Sequence, residues 1–344
     1  MEYRQLGDSG LRVSPICLGA MMFGSASDDR TAGRIVDSAR KHGINFIDTA
    51  DGYSGGNSEK VLGRLLKKDR KNWVIGTKIG NRPGPARFDT RLGKRHMTLG
   101  IDESLARLQT DWIDIWYLHK EDHITPLAET VETMGEIIAS GKVLYWGLSN
   151  YRSWRMAEIV RLCEQMGVPK PVVCQPYYNA MNRMPEVEVL PACAHYGMGV
   201  VPYSPLARGV LTGKYDPKAK PGKGTRAGRG DQRILETEFR KESLVMAQRI
   251  KAHAEKQGMT ASTFATLWVL NNSIVTSVLA GPRTMAHWSG YLDALNHTFS
   301  AEDEELIDKL VAPGHPSTPG YNDPQYGIEG RLTRTSQKNS PTWA

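Results

Sequence analysis

Eight short, mostly apolar runs recur along the chain, separated by stretches whose apolar residues return at helical spacing. They are VSPICLG (13–19), INFIDT (44–49), WVIGTKI (73–79), IDIWYLH (113–119), VLYWGLS (143–149), PVVCQ (171–175), VVPYS (200–204) and VTSVLAG (275–281). Being apolar on both faces, they suit a parallel sheet covered by helices. The alternation leaves two architectures, a closed (β/α)8 barrel and an open doubly wound sheet. An open sheet normally carries a GxGxxG turn after its first strand, and here that turn reads LGAMMFG. The expected fold is therefore α/β, a (β/α)8 TIM barrel.

The helical stretches carry their own punctuation. TAGRIVDSARKHG ends in Gly43, and PLAETVETMGEIIASG begins with Pro126 and ends with Gly141. SWRMAEIVRLCEQMG starts with Ser153 as its cap and stops at Gly167. A length of 344 residues is ordinary for one undivided α/β barrel, and no linker interrupts it, so 1–344 reads as one domain. Residues 1–12 (MEYRQLGDSGLR) read as a hairpin turning at Gly7 to Gly10. Residues 312–344 are rich in Pro, Gly and Ser and have no period: a tail or an ordered loop. Tyr321, Tyr326 and Trp343 give that segment aromatic groups able to close on a bulky substrate.

With 40% hydrophobic and 24% charged residues the composition is that of an ordinary globular protein. No run is long enough to span a bilayer and no secretion signal opens the chain, which leads to a cytoplasmic expectation. Cys17, Cys163, Cys174 and Cys193 lack CxxC spacing and read as buried free thiols rather than metal ligands or disulfides.

The net charge of +7 favours anionic partners. Eleven Lys/Arg between Arg64 and Arg95 read mostly as a solvated face. Eight more fall between Arg208 and Arg233, in a Gly-rich loop whose cations suit a phosphate-bearing ligand. Arg226, Arg229 and Arg233 are evenly balanced there between cofactor clamp and solvated loop. Nucleic acid is disfavoured, because no stacking aromatics are interleaved in the loop.

Active sites of such barrels lie at the C-terminal ends of the strands. The polar residues there are Asp48, Lys78, His119, Ser149 with Asn150, Gln175, and Tyr203 with Ser204, while Tyr53 follows in the loop after Asp48. Any one of these alone reads as structural. A lysine and a carboxylate at the ends of buried strands are costly unless paired, however, and here they converge with a histidine and a tyrosine. A free phenol titrates near ~10, and a nearby ammonium favours the phenolate and lowers that value. A neutral histidine can orient a carbonyl oxygen. No Ser/Cys nucleophile pattern or metal-ligand spacing competes, so the set suits carbonyl reduction with hydride from a cofactor.

Several motifs carry a resemblance. They are DTADGY (48–53) with Glu59, GTK (76–78), DWIDIWYLH (111–119), GKVLYWGLSN (141–150), QPYYN (175–179), PYSPLARGVLTGKY (202–215) and GPRT (281–284). Together and in this order they resemble the aldo-keto reductase superfamily, nearest to the branch of sugar and xenobiotic reductases and potassium-channel β-subunits. The resemblance implies a catalytic tetrad of Asp48, Tyr53, Lys78 and His119, with Tyr53 as general acid. It implies that Ser149, Asn150 and Gln175 hold a nicotinamide carboxamide, that Tyr203 stacks on the ring, and that Met21 and Met22 pass beside it. Ser204, Leu206, Ala207, Gly209 and Lys214 would line the pyrophosphate path. Arg283 would meet an adenosine 2′-phosphate, favouring NADPH/NADP+ over NADH. His287, Gly290 and Tyr291 depart from the branch's usual residues at the adenosine end, His287 standing in a cofactor-binding position.

Substrate choice would fall to Phe23, Tyr53, Phe88, His119 and Tyr151, acting on a small carbonyl compound. A second reading of another class is a nicotinamide-cofactor-binding regulatory subunit with weak reductase activity.

Overall fold

The computed structural model describes residues 1–81, 84, 86 and 89–326. Strands β1 (Arg4–Gln5) and β2 (Arg12–Val13) pair antiparallel as the expected hairpin. The sheet proper consists of β3 (Ile16–Gly19), β4 (Phe46–Asp48), β5 (Val74–Ile79), β6 (Ile113–Leu118), β7 (Val143–Ser149), β8 (Val173–Gln175), β9 (Gly199–Val200) and β10 (Val278–Ala280). Its strands run in the order β10-β3-β4-β5-β6-β7-β8-β9, every pair parallel. The ends meet as well: the amides of Thr276 and Leu279 donate to the carbonyls of Val200 (2.9 Å) and Pro202 (3.0 Å). The sheet is a closed barrel, and all eight expected strands are in it.

Helices α1 (Asp29–Lys41), α2 (Asn57–Leu66), α3 (Lys94–Leu108), α4 (Leu127–Ala139), α5 (Ser153–Met166) and α6 (Val189–His195) follow β3 to β8 in turn. A short α7 (Gln232–Glu236), then α8 (Lys241–Lys256) and α9 (Ala261–Asn271), separate β9 from β10. Helices α10 (Met285–Asp293) and α11 (Ala301–Leu310) complete the shell. Helix α1 shows how sequence makes such an element: Asp28 accepts from the Thr31 amide at 2.8 Å, and Ala32, Ile35, Val36 and Ala39 form its buried stripe. It stops where Gly43 takes φ +73°, a left-handed conformation that glycine adopts without strain.

Two starts differ from expectation by one position. Ser153 is the first helical residue of α5, and extended Arg152 is its cap; the Ser153 hydroxyl instead donates to Glu188 at 2.7 Å. Pro126 caps α4 from just outside the helix, where its missing N–H costs nothing.

Alternation along the strands divides the core in two. Leu6, Val13, Cys17, Phe46, Ile115, Tyr117, Val173 and Val201 fill the barrel interior, the hairpin's Leu6 among them. The intervening residues, such as Ile47, Ile75, Trp116 and Trp146, face the helices. All four cysteines are buried free thiols. Among the described residues no helix is long and apolar enough to cross a membrane.

Candidate active site

The period of two that points Phe46 inward does the same for Asp48, and β5 aims Lys78 inward one strand away. Lys78 Nζ donates to Asp48 Oδ1 and, at 2.6 Å, to the Thr49 carbonyl. Gln175 Nε2 donates to the other Asp48 oxygen at 2.9 Å. Gly76, paired with Asp48 across the sheet, makes this packing feasible: a Cβ there would lie 3.0 Å from the Tyr117 ring and 3.5 Å from Asp48 Oδ2. Desolvation pulls the Lys78 pKa down, but Asp48 and neighbouring Tyr53 outweigh it, so the ammonium is held charged.

Tyr53 opens a 3-10 turn in which Ser54, Gly55 and Gly56 all take left-handed φ of 52°, 63° and 85°. Ser54 is secured in that strained form by donating to Ser25 Oγ at 2.9 Å and to the Met21 carbonyl at 3.3 Å. The turn leaves the Tyr53 ring 5.1 Å from Lys78 Nζ and edge-on to His119, with centroids 5.8 Å apart. The ammonium was expected to lower the phenol's pKa. The net direction is upward, because desolvation outweighs the charge of Lys78 and its hydrogen bond to the phenol. Tyr53 is therefore a protonated donor as the chain stands. His119 has its pKa lowered to about 3, chiefly by desolvation and then by Lys78, so its imidazole is neutral. Its Nδ1 is buried without a partner among the described residues.

The expected cofactor shell joins this centre directly. Ser149 Oγ donates to the Gln175 carbonyl at 2.9 Å, and Asn150 Nδ2 donates to the His119 carbonyl at 3.0 Å. Tyr203 donates to Asn150 Oδ1 at 2.8 Å, its ring stacked at a tilt on Tyr177. Beyond it the chain turns through left-handed φ at Ser204, Ala207, Arg208 and Gly209, with Leu206 between them. A Cβ on Gly209 would stand 2.9 Å from Lys214 Nζ, so this glycine makes room for the lysine.

Lys214, Arg283 and His287 then gather their charges. Desolvation first and Arg283 second lower the Lys214 pKa, and Lys214 and Arg283 add to the lowering at His287. Among the described residues neither Lys214 nor Arg283 has a carboxylate in ion-pair range. A left-handed cradle ending in cations without counter-anions fits a dinucleotide's phosphates, so the residues present suit a nicotinamide dinucleotide. Three of the loop's arginines are engaged within the protein: Arg226 with Asp231 at 2.8 Å, Arg229 with the Gly224 carbonyl at 2.9 Å, and Arg233 with Asp323.

The substrate positions are scattered. Tyr53 and His119 stand together at the mouth; of the two methionines expected beside the cofactor, the Met21 carbonyl accepts from Ser54 and the Met22 carbonyl from Ser25. Phe23 is wholly enclosed in the core and presents no surface to a ligand. Tyr151 is buried with its hydroxyl unpartnered among the described residues. Phe88 and residues 327–344, Trp343 included, lie outside the described residues.

The described part of the C-terminal segment, from its composition a tail or an ordered loop, packs against the rest of the chain. Arg240 stacks 3.7 Å from the Tyr321 ring and donates to Thr318 at 2.7 Å. Tyr326 sits between Tyr203 and Lys120, whose Nζ is 5.1 Å from its ring. Lys120 was missed although it follows His119 directly.

The family model described as "Aldo/keto reductase family" matches residues 15–312. The chain is 35% identical over 287 residues to a probable voltage-gated potassium channel subunit beta of Arabidopsis thaliana, covering 82% of this chain and 87% of that protein. It is 33% identical over 336 residues to the uncharacterized oxidoreductase YrpG of Bacillus subtilis, covering 94% and 99%. It is 31% identical over 324 residues to L-glyceraldehyde 3-phosphate reductase of Escherichia coli O157:H7, covering 91% and 93%. With the barrel, the hairpin and the strand-end side chains in place, the chain belongs to the aldo/keto reductase family, which generally works with nicotinamide cofactors.

Proposed function

We propose that this protein reduces an aldehyde or ketone to an alcohol with NADPH, in the cytoplasm. One observation carries the reading: the Tyr53 ring lies 5.1 Å from the Lys78 ammonium, which is hydrogen-bonded to the buried Asp48, and edge-on to His119. A nicotinamide held by Ser149, Asn150, Gln175 and Tyr203 would supply the hydride that this reduction needs. Tyr53 donates its proton to the carbonyl oxygen, and the phenolate left behind is stabilised by Lys78. Asp48 keeps Lys78 charged and in place. His119, neutral across the working pH range, directs the carbonyl oxygen toward Tyr53 without competing as an acid.

Ser149, Asn150, Gln175 and Tyr203 hold the nicotinamide end. Ser204, Leu206, Ala207, Gly209 and Lys214 hold the diphosphate. Arg283, with Lys214, supplies the positive charge that favours a 2′-phosphate, and His287 lies beside them. The relative named for L-glyceraldehyde 3-phosphate gives one candidate substrate.

The test is NADPH oxidation against a panel of carbonyl compounds, with Tyr53→Phe alongside. Turnover is expected to fall by two orders of magnitude or more, roughly the share of general acid catalysis, with NADPH binding retained. Normal turnover by the variant would remove Tyr53 from its role. The relatives named as channel subunits favour a second reading, a cofactor-binding regulatory subunit. NADPH binding without reduction of any carbonyl would select it.

A further inference from the structure

Lys120 is half-buried beside His119, and among the described residues no carboxylate lies within ion-pair distance of its ammonium. Desolvation, Arg91 and Arg233 act against its charge, whereas Asp323 and Glu121 act in its favour. Both acids are already engaged elsewhere. Arg233 grips Asp323 with two N–H groups, and the Gln325 amide donates to Asp323 at 2.9 Å. Glu121 accepts the Arg152 amide at 2.9 Å and has Arg155 Nε at 3.7 Å and His123 Nε2 at 3.6 Å. Arg91 donates to the Asn81 carbonyl, and among the described residues no carboxylate pairs with it. Among the described residues Lys120 and Arg91 therefore stand at this side of the mouth without a carboxylate of their own.

Its placement relative to the reacting centre follows from a ring of contacts. His119 joins Asn150 through its carbonyl, Asn150 joins Tyr203, Tyr203 borders Tyr326, and the Tyr326 ring lies under Lys120. Lys120 closes the ring by its peptide bond to His119. These contacts link Lys120 to the residues around the reacting centre through Tyr326, Tyr203 and Asn150.

We propose that Lys120, backed by Arg91, is an anion subsite that selects carbonyl substrates bearing a phosphate or carboxylate remote from the reacting carbon. The proposal rests on the reductase reading of the same site. The Tyr326 ring offsets part of the cost of half-burying a cation. A substrate anion offsets the rest, and the same contact orients the carbonyl toward Tyr53.

Two substrate pairs test it: glyceraldehyde 3-phosphate against glyceraldehyde, and 4-carboxybenzaldehyde against benzaldehyde. The readout is the kcat/KM ratio of the charged to the neutral member, in wild type, Lys120→Met and Lys120→Arg. The ratio is expected to exceed about tenfold in at least one pair, as for one charge-assisted contact. It should fall about tenfold in Lys120→Met, survive in Lys120→Arg, and shrink as salt is raised. Which pair responds separates phosphate from carboxylate.

Calorimetric titration with glycerol 3-phosphate and with glycerol gives a readout free of turnover: the phosphate should bind more tightly, and Lys120→Met should remove the difference. Ratios near one in both pairs, or an unchanged ratio in Lys120→Met, overturn the subsite while leaving the reductase standing. Lys120-dependent binding of glycerol 3-phosphate without reduction of any aldehyde upholds the subsite and overturns the reductase.

Discussion

Asp48 and Lys78, 30 residues apart, share a hydrogen bond inside the barrel, with 1% and 0% of their side chains exposed. Neither charge is tolerable there alone. Each strand delivers one member, and the parallel register of β4 on β5 brings them together. The fold therefore holds an ammonium, fixed in place and dry, next to Tyr53. Reducing chemistry that leaves a phenolate needs such a group, and plain stability does not.

Removing both partners should cost less than the two single removals added together. Asp48→Asn and Lys78→Met each strand a buried charge, at a cost of about 3–5 kcal/mol. The double variant removes both charges and should lose clearly less than the sum. Urea denaturation of the four proteins closes the cycle. Additive losses would mean that the two groups do not stabilise each other.

His119 should not titrate where histidines usually do. An ordinary imidazole titrates near ~6.5, whereas desolvation and Lys78 lower the His119 pKa to about 3. Its ring resonances should stay flat between pH 5 and 8 in an NMR titration, while exposed histidines move. Because the folded value is the lower one, the unfolded chain binds the extra proton between those limits. This group's effect on stability is therefore nil above the ordinary value, and unfavourable as pH falls from there toward 3. A mid-range inflection at His119 would contradict the neutral, orienting role.

Much of this was legible in advance, for identifiable reasons. Strand count and order follow from local alternation, which the barrel preserves. The four central residues follow from the rule that sites lie at strand ends. Contacts between distant segments leave no periodic signal. Arg233 with Asp323 and Arg240 with Tyr321 join segments 90 and 81 residues apart, and a Pro- and Gly-rich stretch does not announce a partner. Burial also reversed one inference: the charge of Lys78 was weighed at Tyr53, and the larger desolvation was not. Phe23, expected from its loop to face a substrate, is wholly buried in the core.

Cofactor choice should depend on the cations at the start of α10. Arg283 has no carboxylate in ion-pair range among the described residues, and it reinforces Lys214. Arg283→Ala should weaken NADPH by about tenfold or more, the worth of one charge-assisted contact. NADH binding should barely change, since it lacks the 2′-phosphate. Fluorescence titration with both cofactors measures the two affinities. Equal weakening of both would move Arg283 from the 2′-phosphate to the shared part of the dinucleotide.

The C-terminal segment should come loose without the barrel unfolding. Asp323 and Arg233 keep only 11% and 18% of their side chains exposed, so their bidentate pair is well shielded from water. Ser317 and Thr318 anchor the segment further back, on Ser243 and Arg240. Asp323→Asn keeps the shape and removes the charge, so opening near Tyr321 and Tyr326 should become easier by about 1–3 kcal/mol. Chymotrypsin should then cut after those tyrosines about tenfold faster or more, while the midpoint of global thermal unfolding moves little. Unchanged cleavage would show that the Ser317 and Thr318 anchors hold the segment without the ion pair. A matching fall in global stability would make the segment part of the barrel's cooperative core rather than a strap laid across its mouth.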